Sequence, residues 1–173
     1  MARPSDTRTR IQEAARELFL RQGVQNTSLK HIADRLGITK AALYYHFDSR
    51  EDLVRSIVQP FMDELEAFTA EREPGDARAL LEDYFDLIWR HREELMMVLG
   101  APAMLAELDL VERMWRWRKQ LTALLLGPAP STAARIHATV ALGGMSDCVV
   151  EHATLPLQEV RAAAVQAALA ALT

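Results

Sequence analysis

Apolar residues recur at every third or fourth position of this chain, in segments that end at glycine or proline. The first segment shows the pattern with Ile11, Ala14, Ala15, Leu18 and Phe19. Such spacing places the apolar side chains along one stripe of an α-helix. Clusters of Val, Ile and Thr bounded by turn residues, which are typical of strands, are scarce. The sequence therefore predicts an all-α fold.

Capping residues and breakers divide the chain into about nine predicted helices. Their ranges are 6–22, 28–36, 40–47, 49–72, 76–99, 103–107, 110–126, 131–152 and 158–172. Proline and glycine mark the loops near residues 74 and 128. We predict a helix-turn-helix domain at 1–48 and a second helical domain at 49–173, and helix 49–72 connects the two.

Length and composition narrow the class of protein. The 173 residues are 50% hydrophobic and 25% charged, which suffices for a buried core. The single Cys148 excludes an internal disulfide framework, and no two histidines have the i, i+4 spacing of a helical zinc site. No apolar run approaches the ~20 residues that span a bilayer. We therefore expect a cytoplasmic protein with no metal, no cofactor and no membrane partner.

Charge is distributed unevenly along the chain. Residues 1–55 carry ten Lys or Arg and seven Asp or Glu, whereas residues 56–173 carry ten and seventeen. A basic first part suggests contact with a polyanion, although so small an excess also fits an ordinary surface. Charge alone leaves both interpretations open.

Two short predicted helices, joined by Leu36-Gly37-Ile38-Thr39, have the length and the tight turn of a helix-turn-helix. In that motif the second helix lies in the major groove of DNA, and its outward side chains contact bases and phosphates. The outward positions are Lys40, Ala41, Tyr44 and Tyr45, and the inward positions are Ile38, Ala42, Leu43 and Phe47. Hydroxyl and ammonium groups bond phosphates, and a small alanine permits close approach to a base. The pattern favours DNA binding over a plain helical hairpin.

The same segment resembles the N-terminal domain of the tetracycline-repressor (TetR) family. The resemblance rests on Thr27-Ser28-Leu29-Lys30-His31-Ile32-Ala33, on Leu36-Gly37-Ile38-Thr39-Lys40-Ala41-Ala42-Leu43-Tyr44-Tyr45-His46-Phe47, and on Ser49-Arg50-Glu51-Asp52-Leu53. It covers roughly residues 7–55, and beyond them only the number of helices agrees. It implies a dimeric, ligand-responsive transcriptional repressor.

The resemblance also implies which residues contact double-stranded DNA. By this carry-over Thr27 and Ser28 meet phosphates, and Lys30 reaches toward the bases. The implied recognition surface consists of Thr39, Lys40, Ala41, Tyr44 and Tyr45. His46 and Arg50 are implied to contact the DNA backbone.

The second predicted domain carries large apolar side chains on two sides of helix 76–99 and along helix 110–126. A helix that is apolar on two sides lies either inside a core or along a cavity. The resemblance favours a cavity that holds a small apolar or amphipathic effector. The predicted ligand-binding residues are Phe61, Leu65, Phe85, Trp89, Met96, Met104, Met114, Trp117 and Cys148.

Small apolar residues line the last two predicted helices. Such helices can pair with their copies in a four-helix bundle, or they can cover the core of their own domain. We favour a homodimer because two recognition helices read both half-sites of a palindromic operator. The predicted interface residues are His137, Ala141, Gly144, Val160, Ala164, Ala167 and Ala171.

The predicted function is therefore that of a repressor that binds a palindromic operator through helix 39–47 and is released by its effector. We do not expect the chain to be an enzyme. The alternative is a small helical enzyme or carrier that uses the second domain's pocket, but no nucleophile, phosphate-loop or metal-ligand motif supports it. A second basic cluster, at Arg116, Arg118 and Lys119, is either a solvated face or the counter-charge for an anionic ligand.

Overall fold

The computed structural model describes residues 4–70, 72–101, 103, 106, 108 and 110–173, and within them it contains nine α-helices and no strand. The helices are α1 (Pro4–Gln22), α2 (Leu29–Leu36), α3 (Lys40–Tyr44), α4 (Arg50–Ala70), α5 (Ala77–Arg90), α6 (Arg92–Gly100), α7 (Leu110–Leu126), α8 (Thr132–Glu151) and α9 (Leu157–Ala171). The predicted all-α fold is confirmed. Most of the short helix predicted at 103–107 lies outside the described residues.

The helix predicted at 76–99 is in fact two helices, because α5 ends at Arg90 and α6 begins at Arg92. Between them His91 has φ −102° and ψ 26°, which departs from helical geometry. The Nε2 atom of His91 lies 2.5 Å from a carboxylate oxygen of Glu64 on α4. No glycine or proline marks this break in the sequence, since it accompanies a contact with a distant helix.

The described helices form two compact units. Unit 1 comprises Met1–Phe61 and Met96–Val111, and unit 2 comprises Met62–Leu95 and Glu112–Thr173. The sequence predicts its domain boundary earlier, after residue 48. Unit 1 extends past that point because the first half of α4 and the segment that follows residue 95 pack with α1–α3.

Unit 1 has an apolar core to which α1, α2, α3 and α4 all contribute. The fully buried side chains of this core include those of Ile11, Ala15, Ile32, Leu43 and Leu53. Arg8 on α1 donates a 2.8 Å hydrogen bond to the carbonyl oxygen of His46, and its guanidinium lies 4.3 Å from the centre of the Phe47 ring. These contacts attach the end of α3 to α1.

Unit 2 is organised around α5, α8 and α9, which pack against one another. Arg161 on α9 binds both carboxylate oxygens of Asp86 on α5, at 2.8 and 3.1 Å. Arg113 on α7 donates to Glu66 and Asp63 on α4, each at 2.8 Å. Hydrogen bonding to Arg113 lowers the pKa of Glu66 from its ordinary value. Bidentate arginine pairs of this kind hold the helices of the unit in register.

Leu43 is the one buried residue of the short helix α3, so its truncation tests what holds that helix in place. We expect Leu43→Ala to lower the free energy of unfolding by about 2–5 kcal/mol, because it leaves a cavity in unit 1. The matched control is Tyr45→Ala, whose side chain is 81% exposed and whose loss costs less than about 0.5 kcal/mol. Urea unfolding measures both variants, and equal losses would contradict this account of α3.

Candidate functional site

Helix α2 begins at a capping box. The Oγ atom of Ser28 accepts a hydrogen bond from the backbone N–H of His31 at 3.2 Å, and the backbone N–H of Ser28 donates to Nδ1 of His31 at 3.3 Å. On the opposite side of the helix, the side chains of Leu29, Ile32 and Ala33 are buried. Ser28 and Lys30 are therefore held at the exposed start of α2.

Gly37 and Thr39 shape the turn between α2 and α3. Gly37 has φ 64°, a left-handed conformation that glycine adopts without steric cost. Two residues later the Oγ1 atom of Thr39 accepts a hydrogen bond from the backbone N–H of Ala42 at 3.1 Å, which caps α3. The turn was predicted from the sequence, and together with the cap it fixes where α2 ends and α3 begins.

Helix α3 exposes most of the predicted recognition surface. We call this surface the α3 face, and it consists of Thr39, Lys40, Ala41, Tyr44 and Tyr45, all of which are exposed. The Lys40 ammonium lies 5.3 Å from the centre of the Tyr44 ring. Tyr45 is 81% exposed, which is unusual for so large an aromatic side chain. The α3 face thus presents one cation, two phenol hydroxyls and a small methyl group to solvent.

Helix α3 is shorter than predicted. The sequence predicts a helix to Phe47, whereas α3 ends at Tyr44 and a tight turn follows, in which the N–H groups of His46 and Phe47 both donate to the carbonyl oxygen of Leu43. Ala42 is exposed instead of facing inward as predicted, since so short a helix buries only Leu43.

Thr27 does not belong to this exposed surface. Its side chain is 1% exposed, and its hydroxyl donates to the carbonyl oxygen of Gly23 at 2.9 Å and accepts from Nε2 of Gln22 at 3.1 Å. The hydroxyl is thus committed to the turn between α1 and α2. The structure thus gives the Thr27 side chain a structural role, and the phosphate contact that the resemblance implied stays a prediction.

His46 and Arg50 are only partly exposed. His46 packs edge-on against the ring of Tyr45, with ring centroids 5.2 Å apart. Arg50 donates to the carboxylate of Glu51 at 3.1 Å, while its Nε atom is buried without a hydrogen-bond partner among the described residues. A phosphate that recruits Arg50 must compete with Glu51 for its guanidinium.

The predicted ligand-binding residues are divided between the two units. Phe61 and Met96 belong to unit 1, whereas Leu65, Phe85, Trp89, Met114, Trp117 and Cys148 belong to unit 2. Met104 lies outside the described residues. Phe85 stacks on Trp89 with ring centroids 5.7 Å apart. Burial and the neighbouring Asp147 and Glu151 raise the pKa of the Cys148 thiol, which keeps it protonated.

A small polar cluster lies in the core of unit 2, and the sequence interpretation did not select most of it. The buried Tyr84 hydroxyl lies 3.3 Å from Oγ of the buried Ser146, and burial raises the pKa of Tyr84. The Tyr84 ring is 6.0 Å from the ring of Trp117, whose indole N–H is buried without a hydrogen-bond partner among the described residues. A serine inside the apolar helix α8 was the signal that could have revealed this cluster.

The predicted dimer residues lie on different sides of α8 and α9. Ala141, Val160 and Ala164 are buried by their own unit, whereas Gly144 and Ala167 are exposed, and His137 and Ala171 are partly exposed. The exposed side of α8 also carries Ile136 and Val140, at 57% and 61% exposure. Sequence spacing identified the helices but not which side stays free, because α8 is apolar all round.

The described residues contain neither a membrane-spanning helix nor a metal site. None of the helices is long and apolar enough to cross a bilayer. No three His, Cys, Asp or Glu side chains among these residues come together in a way that could hold a metal ion.

Comparison with known proteins assigns the N-terminal domain. The sequence profile of "Bacterial regulatory proteins, tetR family" matches residues 11–57. The transcriptional repressor KstR2 of Rhodococcus jostii (strain RHA1) is 42% identical over 82 residues, which cover 45% of this chain and 39% of that protein. The match to this relative therefore spans about two fifths of its length.

The fold extends the likeness over nearly the whole chain. A transcriptional regulator from Aquifex aeolicus VF5 superposes with a TM-score of 0.73 at 22% identity, over 93% of this chain and 96% of that chain. SmeT, solved as a complex with triclosan, superposes with a TM-score of 0.61 at 26% identity, over 96% and 91%. Residues 11–57 therefore match the N-terminal domain of the tetR family of bacterial regulatory proteins, and the fold of the whole chain is similar to that of solved regulators.

Proposed function

We propose that the chain is a dimeric transcriptional repressor that binds a palindromic operator through the α3 face and is released by a small apolar or amphipathic effector. The observation that carries the proposal is the α3 face itself. A helix of five residues exposes Lys40 and Tyr44 beside the small Ala41, Tyr45 is exposed directly after its end, and Leu43 anchors the other side of the helix. Ammonium and phenol groups bond phosphates and base edges, and alanine leaves room for a thymine methyl group.

Ser28 and Lys30 extend the proposed DNA surface to the start of α2. The exposed N–H groups at a helix N-terminus attract phosphate, and a nearby lysine adds charge. Thr27 supports the surface from beneath, by fixing the turn that precedes α2. Arg50 contributes less than an unpaired arginine would, because Glu51 competes for it.

Removing the polar groups of the α3 face should weaken operator binding. We expect Lys40→Ala with Tyr44→Ala to cost about 1–3 kcal/mol for each lost contact, and to reduce the salt dependence of binding by about one unit of slope. Fluorescence anisotropy measures the affinity on operator DNA, taken from upstream of the gene or selected from random duplexes.

Lys119→Ala is the matched control, since it removes the same charge from unit 2. Its operator affinity should equal that of the unaltered chain. Equal affinities for the double variant and this control would refute DNA recognition by the α3 face.

A homodimer supplies the second recognition helix that a palindrome requires. The exposed sides of α8 and α9 are its proposed interface, since they leave apolar side chains uncovered at Ile136, Val140, Ala163, Ala167 and Ala170. Gly144 on the same side of α8 allows close approach of a neighbouring helix. Of the residues chosen from sequence, Gly144 and Ala167 lie on these exposed sides, while Ala141, Val160 and Ala164 support the interface from below.

A charge at the centre of this interface should separate the subunits. We expect Val140→Glu to weaken association by about 3 kcal/mol or more, because the carboxylate would be buried without a partner. Sedimentation velocity measures the dimer, and operator affinity should fall with it. Leu99→Glu is the control, since Leu99 is 50% exposed and lies in unit 1. A Val140→Glu protein that stays dimeric would exclude this face.

The effector site is proposed in the core of unit 2, beside Trp117. Among the described residues the indole N–H of Trp117 has no acceptor. The ring of Tyr84 lies beside Trp117, and the ring of Phe68 lies beside Tyr84, so apolar contact is available there. An unsatisfied buried donor is costly, so a ligand that brings a hydroxyl, ether or carbonyl oxygen gains a hydrogen bond there. The triclosan complex of SmeT supports a phenolic or ether ligand, since that protein has the same fold.

Binding of an effector should lower operator affinity by about 5–150-fold, the usual range of coupling between two sites. Triclosan is the first probe, followed by a panel of neutral phenols and ketones. We expect Trp117→Phe to keep operator affinity and to weaken the response, because phenylalanine fills the space but lacks the N–H donor. Operator affinity that no member of the panel changes would contradict an effector site in unit 2.

A further inference from the structure

Unit 2 carries ten arginine and lysine residues, and most of them pair with carboxylates. Six arginines lie within 4.0 Å of an Asp or Glu oxygen, at Arg72, Arg78, Arg90, Arg113, Arg116 and Arg161. Acidic residues outnumber basic ones seventeen to ten over residues 56–173. A cationic side chain without a carboxylate partner is therefore the less common case in unit 2.

Three exceptions gather in one groove between α7 and α8. Arg118, Lys119 and Arg135 line it, and among the described residues no carboxylate lies within ion-pairing distance of any of them. Arg118 donates only a long 3.4 Å hydrogen bond to the carbonyl oxygen of Thr139, and Arg135 donates to Oγ1 of Thr132 at 3.1 Å. Like charges that share a groove repel one another, and an anion placed between them relieves that repulsion.

The groove separates the members of the basic cluster on α7. Arg116 lies outside the groove and pairs with Glu112 one turn earlier on α7. This arrangement fits the interpretation of Arg116 as part of a solvated face. Arg118 and Lys119 point into the groove and meet Arg135 from α8. The sequence could not distinguish these positions, since the third cation comes from another helix.

The remaining wall of the groove is apolar. Trp115, which is 61% exposed, forms one side, and Ala123, Pro128 and Pro130 form another. The hydroxyls of Thr122 and Thr139 donate to carbonyl oxygens of their own helices, so they offer no donor to a ligand. The cavity volume is about 620 Å³, which is in the range of small-molecule sites.

We propose that this groove binds a small organic carboxylate, whose apolar or aromatic body packs on Trp115 while its carboxylate is held by Arg118 and Arg135. Guanidinium groups bind carboxylates through paired N–H donors, and Lys119 adds a point charge. The apolar wall selects a ligand with a hydrocarbon body over an inorganic anion. The site is separate from the effector site proposed beside Trp117, and it does not depend on the proposed repressor function.

Calorimetric titration of the full chain tests the groove without using DNA binding. The probes are naphthoate and decanoate, and naphthamide is the neutral match of naphthoate. We expect saturable binding of the carboxylates, weakening as sodium chloride is added, and at least about tenfold weaker binding of the amide. Failure of both carboxylates to bind at millimolar concentration would overturn the proposal.

Variants identify the residues that hold the anion. Arg118→Gln with Arg135→Gln should weaken naphthoate binding at least about tenfold, since hydrogen bonds to charged groups are lost. Trp115→Leu should remove the change in tryptophan fluorescence that naphthoate causes. Arg116→Gln is the control and should bind as the unaltered chain does. Thermal unfolding shows that each variant folds. Trp115, Arg116 and Arg135 are exposed and Arg118 is partly exposed, so the substitutions leave the core intact.

Two results would assign the groove differently. If Arg118→Gln with Arg135→Gln and Arg116→Gln bind naphthoate alike, the carboxylate lies elsewhere and the proposal is wrong. If neither carboxylate binds, while an unrelated DNA duplex binds the unaltered chain more tightly than the Arg118→Gln, Arg135→Gln variant, the cations serve a nucleic acid and the proposal is likewise overturned.

Discussion

The burial of Leu43 is the constraint on which the proposed DNA surface depends. A helix of five residues is far below the length at which helices are stable in water, so α3 exists only through its attachment to unit 1. Leu43 and Phe47 supply that attachment as buried side chains, and Arg8 reinforces it at His46 and Phe47. Because one side of so short a helix anchors it, Lys40 and Tyr44 are exposed on the helix and Tyr45 is exposed directly after it.

The capping residues give this surface its direction. Ser28, Gly37 and Thr39 satisfy backbone groups at the ends of α2 and α3, and they set the angle at which one helix follows the other. Thr27 works from inside, since its buried hydroxyl bonds the end of α1. The family resemblance implies DNA contacts for Thr27, Ser28 and Thr39 alike. In the structure Ser28 and Thr39 face solvent, whereas the Thr27 side chain is buried and stabilises the turn.

The helices of unit 2 contribute both to its buried core and to its exposed apolar surface. On α8, Ala138, Ala141 and Met145 are buried, while Ile136 and Val140 are exposed. An exposed apolar side on a helix whose other side is already packed is the ground for the dimer interface proposed there. The polar cluster of Tyr84 and Ser146, and the N–H of Trp117 that has no partner among the described residues, are the grounds for the effector site proposed in the interior. The distribution of charge is a third feature. Most of the cationic side chains described in this acidic unit pair with carboxylates, whereas Arg118, Lys119 and Arg135 do not.

Local sequence determined a large part of this protein. Periodic apolar residues, Ser28, Gly37 and Thr39 predicted the helices and the turn, because capping and backbone geometry depend on residues within one or two turns of each other. The order of residues from Thr27 to Leu53 predicted the family match of the N-terminal domain. Tertiary structure decided the burial of Thr27, the break at His91, the free side of α8 and the groove of Arg118, Lys119 and Arg135. Each of these depends on side chains that are distant in sequence, and no local pattern records which of them come together in space.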